Sequence, residues 1–347
     1  MTYPSFVRGA AAWLALAACA TPAHAQNQIT VAWYGGNWGE AFNACVAEPY
    51  TKATGVKVVP EIGTSSTTLA KLQQQKGAPS IDAAWMDGGI SEVAAAADVL
   101  DNLDPARIPN MANLNPDAIY KAGSQTYAVG TGYYSLGLLY NKQKVKFVPT
   151  SWEDLWKPEV ADAVTIPSPS NSGGVPLIVL FHRMMKAPKD DYAPVFRKIK
   201  ELKVASYFDS SGAASNAFQS GEAVIGAHFS AAAWDLIDKG LPLAFVVPKE
   251  GVWATDARLH LVKGSQRKEL AEKFINTALT PEAAACLAQK LYLGPAVKNV
   301  KVPPETAKKL PWGENGSLKD LVLFDWNVVN KERAKLVDMW NREVARK

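Results

Sequence analysis

Aromatic side chains set among glycines and small polar residues recur along the 347-residue chain: Trp33, Tyr34 and Trp38 around the turn Gly35-Gly36-Asn37, then Tyr133 and Tyr134 behind Gly130-Thr131-Gly132, then His228 with Phe229, then Trp253. Aromatic faces at strand ends suit a cation or the apolar body of a small ligand. Core packing is the competing reading for Trp33 or Tyr134 taken singly. Trp38, in a glycine-bracketed turn that opens a helix, is read as part of a site. A second cluster, Pro167-Ser168-Pro169-Ser170-Asn171-Ser172-Gly173-Gly174, leads into an apolar helix. Hydroxyls and unpaired N–H groups at a helix N-terminus favour an anion. A plain N-cap needs one such side chain, and this loop carries three Ser and one Asn.

Reactive chemistry is harder to assemble. The four His are His24, His182, His228 and His260, all isolated, and no HExxH, phosphate-binding loop or nucleophile elbow occurs. Gly130-Thr131-Gly132-Tyr133-Tyr134-Ser135 misses the dinucleotide fingerprint at its last position and precedes an extended run, so no helix N-terminus could face a pyrophosphate. No enzyme activity and no cofactor are expected.

The elements that must position these residues alternate. Residues 29–33 read as a strand, 38–53 as a helix closed by Gly55, and 56–59 as a strand. A helix over 66–75, a strand over 81–86 and a helix over 89–97 follow. A long extended stretch covers 126–140. Helices at 151–155, 174–186, 191–203, 212–220 and 230–239 are interleaved with strands near Val164, 223–227 and 243–247. Residues 258–262 extend again, 268–278 and 283–291 are helical, and so is the tail at 317–347. Such alternation predicts an α/β fold with helices on both faces of its sheet.

Length and 48% hydrophobic residues allow a large core divided over two lobes. With 37 Lys+Arg against 33 Asp+Glu and no long basic run, nucleic acid is not an expected partner. The N-terminus carries Arg8, an apolar stretch over 10–20 and Ala23-His24-Ala25, the pattern of a secretory signal peptide (1–25) cleaved after Ala25. Leu16-Ala17-Ala18-Cys19 resembles a lipobox, but the downstream cleavage site is preferred over anchoring at Cys19. No later stretch is long and apolar enough to span a bilayer. Export to the periplasm permits a disulfide, and Cys45–Cys286 is preferred over two buried thiols, because unpaired thiols are uncommon in secreted chains.

Several motifs together resemble a known family. Trp38 with Phe42, Tyr50-Thr51-Lys52-Ala53-Thr54-Gly55-Val56-Lys57-Val58, Gly137-Leu138-Leu139-Tyr140-Asn141-Lys142, Gly221-Glu222-Ala223 and Pro248-Lys249-Glu250-Gly251 look like the extracellular solute-binding proteins of ABC importers. The spermidine/putrescine-binding type is nearest, with ferric-iron and phosphonate binders as neighbours. The resemblance implies the type II periplasmic-binding fold, two α/β lobes joined by two crossing hinge strands. Lobe 1 would comprise 27–132 plus 258–310, lobe 2 would comprise 133–257, and 317–347 would be a helical tail packing on both. It implies a monomer that closes on one small solute and delivers it to an ABC permease in the inner membrane.

The resemblance also assigns Trp38, Phe229 and Trp253 as ligand-stacking aromatics; Tyr34, Asn37, Tyr133 and Tyr134 join the expected site from the strand-end pattern of the residues themselves. Polyamine members carry acidic side chains where this chain has Ser170, Asn171 and Ser172. Their further aspartate is displaced here to Asp256, with Arg258 two residues on, and Asp87 stands where a hydroxyl residue is usual. These departures favour a solute with an anionic group at 170–174 and Arg258 and a cationic or polar end near Asp87, over a polyamine. A ferric-iron binder using Tyr133 and Tyr134, and a secreted hydrolase, are the alternatives.

Overall fold

The strand–helix alternation read from the sequence positions almost every element of the computed structural model, which describes Met1, 27–312 and 318–345. The expected leader, with Arg8, Cys19 and the 23–25 cleavage site, lies outside the described residues. The first half contains β1 (Gln28–Trp33), α1 (Asn37–Phe42), α2 (Glu48–Thr54), β2 (Lys57–Ile62), α3 (Ser65–Gln74), β3 (Ala83–Asp87), α4 (Ile90–Ala96), β4 (Ile119–Ala122) and β5 (Gln125–Asn141). β6 (Val164–Pro167), α5 (Gly174–Met184), α6 (Ala193–Glu201), β7 (Val204–Phe208), α7 (Ser211–Ser220), β8 (Ile225–Phe229), α8 (Ser230–Asp238), β9 (Leu243–Val246) and β10 (Trp253–Leu261) follow. The chain continues through α9 (Lys268–Ala278), α10 (Pro281–Leu291), α11 (Pro304–Ala307), β11 (Val322–Leu323) and α12 (Trp326–Glu343).

Among the described residues eleven strands form one hydrogen-bonded network with the main order β2-β1-β3-β10-β5-β8-β6-β7. β1 is parallel to β2 and β3 at one end, and β6 is parallel to β7 and β8 at the other. Parallel strands need crossover helices, so each end is an α/β lobe of its own. Between them β5 and β10 run antiparallel, β10 pairing with β3 through Ala257–Leu261 and β5 pairing with β8 through Leu136–Tyr140. These two crossing strands join the lobes of a type II periplasmic-binding fold. The expected changes of lobe fall inside both strands, where Gly132 opposes Ala257 and the register shifts at Ala257/Arg258.

Local differences from the sequence reading have physical causes. The helix expected over 38–53 is interrupted by a π-helical turn at Asn43–Ala47, one turn before Pro49. Proline lacks an N–H and its ring crowds the carbonyl four residues back, which a widened turn relieves. Gly55 closes the run with φ 72°, a left-handed cap that favours glycine. β7 was not expected; four of its five residues are only half-buried, so no clear strand periodicity marks it. β10 starts at Trp253 rather than 258, because pairing with β5 overrides the weak strand propensity of Ala254-Thr255-Asp256-Ala257. Residues Trp152–Trp156 are 3-10 instead of α-helix, and the tail adds β11 before α12, which packs on α4, α5 and α6.

Cys45, in the π turn, is bonded to Cys286 of α10 with Cα atoms 5.6 Å apart, and the alternative of two buried thiols falls.

Two core histidines carry a pH dependence. His228 on β8 and His260 on β10 are fully buried, and desolvation pushes both down to about 3. A base with a depressed folded-state value stays neutral in the fold while the unfolded chain binds a proton below about 6.5. Unfolding free energy should therefore fall by roughly 1.4 kcal/mol per pH unit for each histidine between about pH 6 and pH 3. Urea titrations at a series of pH values check this; a shallower profile for a His260→Gln/His228→Gln pair than for wild type is the expected contrast, the carboxylates contributing equally to both.

Candidate functional site

The carboxyl ends of the parallel strands of both lobes converge on one cleft of about 350 Å³. The β1–α1 turn supplies Tyr34, Asn37 and Trp38, the end of β3 supplies Asp87, and β5 supplies Tyr134. From the other lobe come Asn171 and Ser172 before α5, Ser210 to Asn216 at the start of α7, and Phe229 with the first face of α8. Ligand crevices of open α/β sheets lie at such strand ends, where each strand passes into a loop and helix start.

Asp87 organises one wall. Its Oδ1 accepts from the Tyr34 hydroxyl at 2.7 Å and from the Tyr134 hydroxyl, and its Oδ2 accepts from Ser65 Oγ at 2.9 Å. The Asp87 backbone N–H donates back to Ser65 Oγ at 3.0 Å. Burial, and then the negative charge of Asp87, push both phenols well above their ordinary range, so each keeps its proton. That proton is committed to Asp87, and each phenol oxygen turns only lone pairs to the cleft. Among the described residues no Lys or Arg forms a salt bridge with Asp87, although its side chain is almost completely buried.

Aromatic rings frame the carboxylate. Trp38 meets Tyr34 edge-on with centroids 5.4 Å apart and Tyr134 at 5.2 Å, and Phe229 meets Tyr134 at 5.6 Å. Behind them Phe42 stacks on Trp85 at 4.1 Å. Asn37 lines the cleft with its Nδ2 buried and without a hydrogen-bond partner, a donor that a ligand acceptor would satisfy. Trp38→Ala should weaken solute binding by at least about 1 kcal/mol, the scale of a desolvated aromatic contact. Because the indole also packs on Phe42, a stability loss of about 3 kcal/mol should accompany it. Calorimetry at temperatures where the variant is folded separates the two, and unchanged affinity would make Trp38 a packing residue.

The opposite wall is built from helix starts. In the loop before α5, Asn171 Oδ1 accepts from the Gly173 N–H at 2.9 Å and its Nδ2 donates to the Asp209 carbonyl at 3.1 Å, while Ser168 Oγ donates to the Asp209 carboxylate. Gly174 is obligatory here, since a Cβ would lie 2.0 Å from the Ser168 carbonyl oxygen. Asn171 thus holds the loop while Ser172 lines the cleft. Ser210 caps α7 through Oγ and the Ala213 N–H at 3.2 Å. The acid on this wall, Asp235, is bonded to Lys239 one turn on at 2.8 Å.

Five residues expected at the site lie elsewhere. Arg258 Nε donates to Asp256 Oδ1 at 2.7 Å, its Nη1 donates to Glu92, and its guanidinium lies 3.4 Å over the Tyr120 ring. Tyr120 donates to Asp256 Oδ2 at 2.7 Å, and burial pushes the Asp256 carboxyl up against the pull of Arg258. This closed network fills the strand crossing behind the cleft. Trp253 is fully buried behind Phe229, against Trp326. Tyr133 faces away from Tyr134, onto Trp312, because successive strand residues point to opposite faces. Ser170 is exposed, and its carbonyl accepts from Ser66 Oγ across the lip of the cleft at 3.3 Å.

Sequence reasoning passed over Ser65, the Ser210-Ser211-Gly212 start of α7, Ser215, and the Asp235–Lys239 pair. The one signal was a second serine-glycine cluster ahead of a helix, and it was unreadable while the strand before it went unrecognised.

Residues 46–311 match the sequence profile of the bacterial extracellular solute-binding proteins. The chain belongs to this family. Its members are non-enzymatic solute-binding components of ABC transporters, extracellular or periplasmic. This solute-binding protein is 26% identical over 319 residues to the spermidine/putrescine-binding periplasmic protein of Escherichia coli (strain K12), across 86% of this chain and 90% of that one. It is 25% identical over 310 residues to the gamma-aminobutyric acid-binding protein of Pseudomonas aeruginosa, across 84% of each. The solved structure of a periplasmic binding protein of A. tumefaciens B6 in complex with glucopine matches with a TM-score of 0.78 over 91% of this chain and 99% of that one, at 18% identity, a likeness of fold. Among the described residues of the solute-binding protein no helix is long and apolar enough to cross a membrane.

Proposed function

We propose that this solute-binding protein captures a small zwitterion in the periplasm and delivers it to an ABC permease. The carrying observation is the polarity of the cleft. One wall holds a buried carboxylate with no basic partner among the described residues, flanked by two phenol oxygens that can only accept. An ammonium group has three N–H donors to match those acceptors, and its desolvated charge is best balanced by a carboxylate and aromatic faces. The other wall offers hydroxyls and the N-terminal ends of α5 and α7, and its own acid is neutralised by Lys239. A diamine would leave its second charge against that wall without a free carboxylate. The gamma-aminobutyric acid-binding relative supports the same reading.

Tyr133 and Tyr134 point to opposite faces of β5, which disfavours joint ligation of iron. Closure between the lobes, each contributing part of the ligand shell, would favour the state the permease recognises. Thermal-shift and calorimetric screening of ω-amino acids of three to six carbons, beside diamines and dicarboxylates of equal length, tests the proposal. The strongest stabilisation is expected from an ω-amino acid; stabilisation by the diamines or the dicarboxylates alone would overturn it.

A further inference from the structure

One cleft residue is tied to a buried histidine that the solute cannot reach. His228 lies at the end of β8, with no exposed surface and its ring stacked on Phe218 at 5.9 Å. Its Nδ1 accepts from the backbone N–H of Phe229 at 3.0 Å, and its Nε2 lies 3.1 Å from Ser215 Oγ. A backbone N–H can only donate, so Nδ1 must be bare and the hydrogen of the neutral ring must sit on Nε2. Nε2–H then donates to Ser215 Oγ. A hydroxyl that accepts there keeps one hydrogen of its own, which cannot point back at the imidazole. Ser215 lines the cleft on the first turns of α7.

We propose that His228 is a positioning residue for solute specificity: through its forced tautomer it fixes Ser215 as a hydrogen-bond donor to the anionic end of the solute. The inference rests on the zwitterion reading above and extends it. Across the cleft, Tyr34 and Tyr134 have their protons drawn away by Asp87 and can only accept. Ser215 is the converse, a hydroxyl with one lone pair engaged from behind by His228 and its own hydrogen left for a partner other than the imidazole. A half-buried donor opposite acceptors around a buried carboxylate sets the direction in which a two-ended solute enters, and a cationic group brought against Ser215 meets a hydroxyl hydrogen first.

Two measurements test this. In the unaltered protein, long-range imidazole nitrogen–proton correlation spectra should show His228 as the Nε2–H tautomer, with or without solute; an Nδ1–H ring or an imidazolium would overturn the proposal regardless of what the protein binds. Second, the screening panel is repeated on three variants. Ser215→Ala should lower affinity for the carboxylate-bearing members about tenfold or more, the scale of a hydrogen bond to a charged group, and leave diamine binding unchanged. His228→Asn keeps an acceptor for the Phe229 N–H but cannot reach Ser215, and should share that loss. His228→Gln restores a donor at the Nε2 position and should recover most of the affinity. Equal losses in Asn and Gln variants, or losses blind to the carboxylate, would reduce His228 to packing. If wild-type protein prefers diamines, the zwitterion reading fails on its own. A Ser215→Ala variant that then loses diamine affinity would sink the donor assignment too, because the hydroxyl would have been accepting from the cation.

Discussion

Asp87→Asn is expected to weaken solute binding about a hundredfold, close to 3 kcal/mol. The substitution preserves shape and burial, removes the charge and turns one acceptor oxygen into a donor, which Ser65 can meet by turning its own hydrogen away. That charge is held by Tyr34, Tyr134 and Ser65, three neutral hydroxyls, with no cationic side chain bonded to it among the described residues. Neutral donors stabilise a carboxylate but do not cancel it, so a cationic ligand group supplies what the fold omits. Truncating one partner of a desolvated charge pair costs about 2–5 kcal/mol, because the other charge is left unpaired. An exposed pair would be worth a fraction of that. The effect should appear in dissociation rate more than in association rate, since the group acts only after the cleft closes. Isothermal calorimetry on the tightest-binding ω-amino acid is the direct measurement. A loss below about tenfold would move the cationic end of the solute away from Asp87.

The second large effect concerns the disulfide. Cys45 and Cys286 are 241 residues apart in sequence, so the bond ties the helix that follows the ligand-lining turn to a helix that returns late in the chain. Chain-entropy arguments make the stabilisation grow with loop length, and loss of a native bridge costs about 2–5 kcal/mol. A Cys45→Ser/Cys286→Ser double variant should lose that much in urea unfolding. Its solute affinity, measured where it is folded, should stay within about twofold, because neither sulfur lines the cleft. Unchanged stability would mean that the packing of α10 against α1 and the π turn holds these helices together without help from the bond. A collapse of affinity in the folded variant would instead make the bridge part of the site's geometry.

Much of the molecule was legible without coordinates, and the reasons are local. Gly55 closing a helix, the alternating strand and helix patterns, and a leader-like N-terminus followed by Cys45 and Cys286 each carry their meaning within a few residues or in composition. Tyr34, Asn37 and Trp38 were identifiable because glycines at the end of a strand announce a loop, and loops at strand ends meet at the crevice of an α/β fold. What the sequence could not supply was the direction of side chains across the crossing strands. Period two says that Tyr133 and Tyr134, or Asp256 and Ala257, face opposite sides, but only the sheet decides which side is the cleft. Asp256 and Arg258 look like ligand groups when read alone. They become a closed buried network once Glu92 and Tyr120, far away in the chain, are brought against them.

The same holds for the chemistry of the walls. That Asp87 draws the protons of two phenols, while the Phe229 N–H forces a proton onto the far side of His228, depends on hydrogen bonds between residues 13 to 53 positions apart or on backbone direction at a single step. The chain alone determined the fold class, the strand-end loops and the cysteine pair, because propensity, periodicity and composition act over short range. Tertiary structure decided which polar groups remain unpaired at the cleft, because satisfaction of a buried donor or acceptor is a property of everything packed around it.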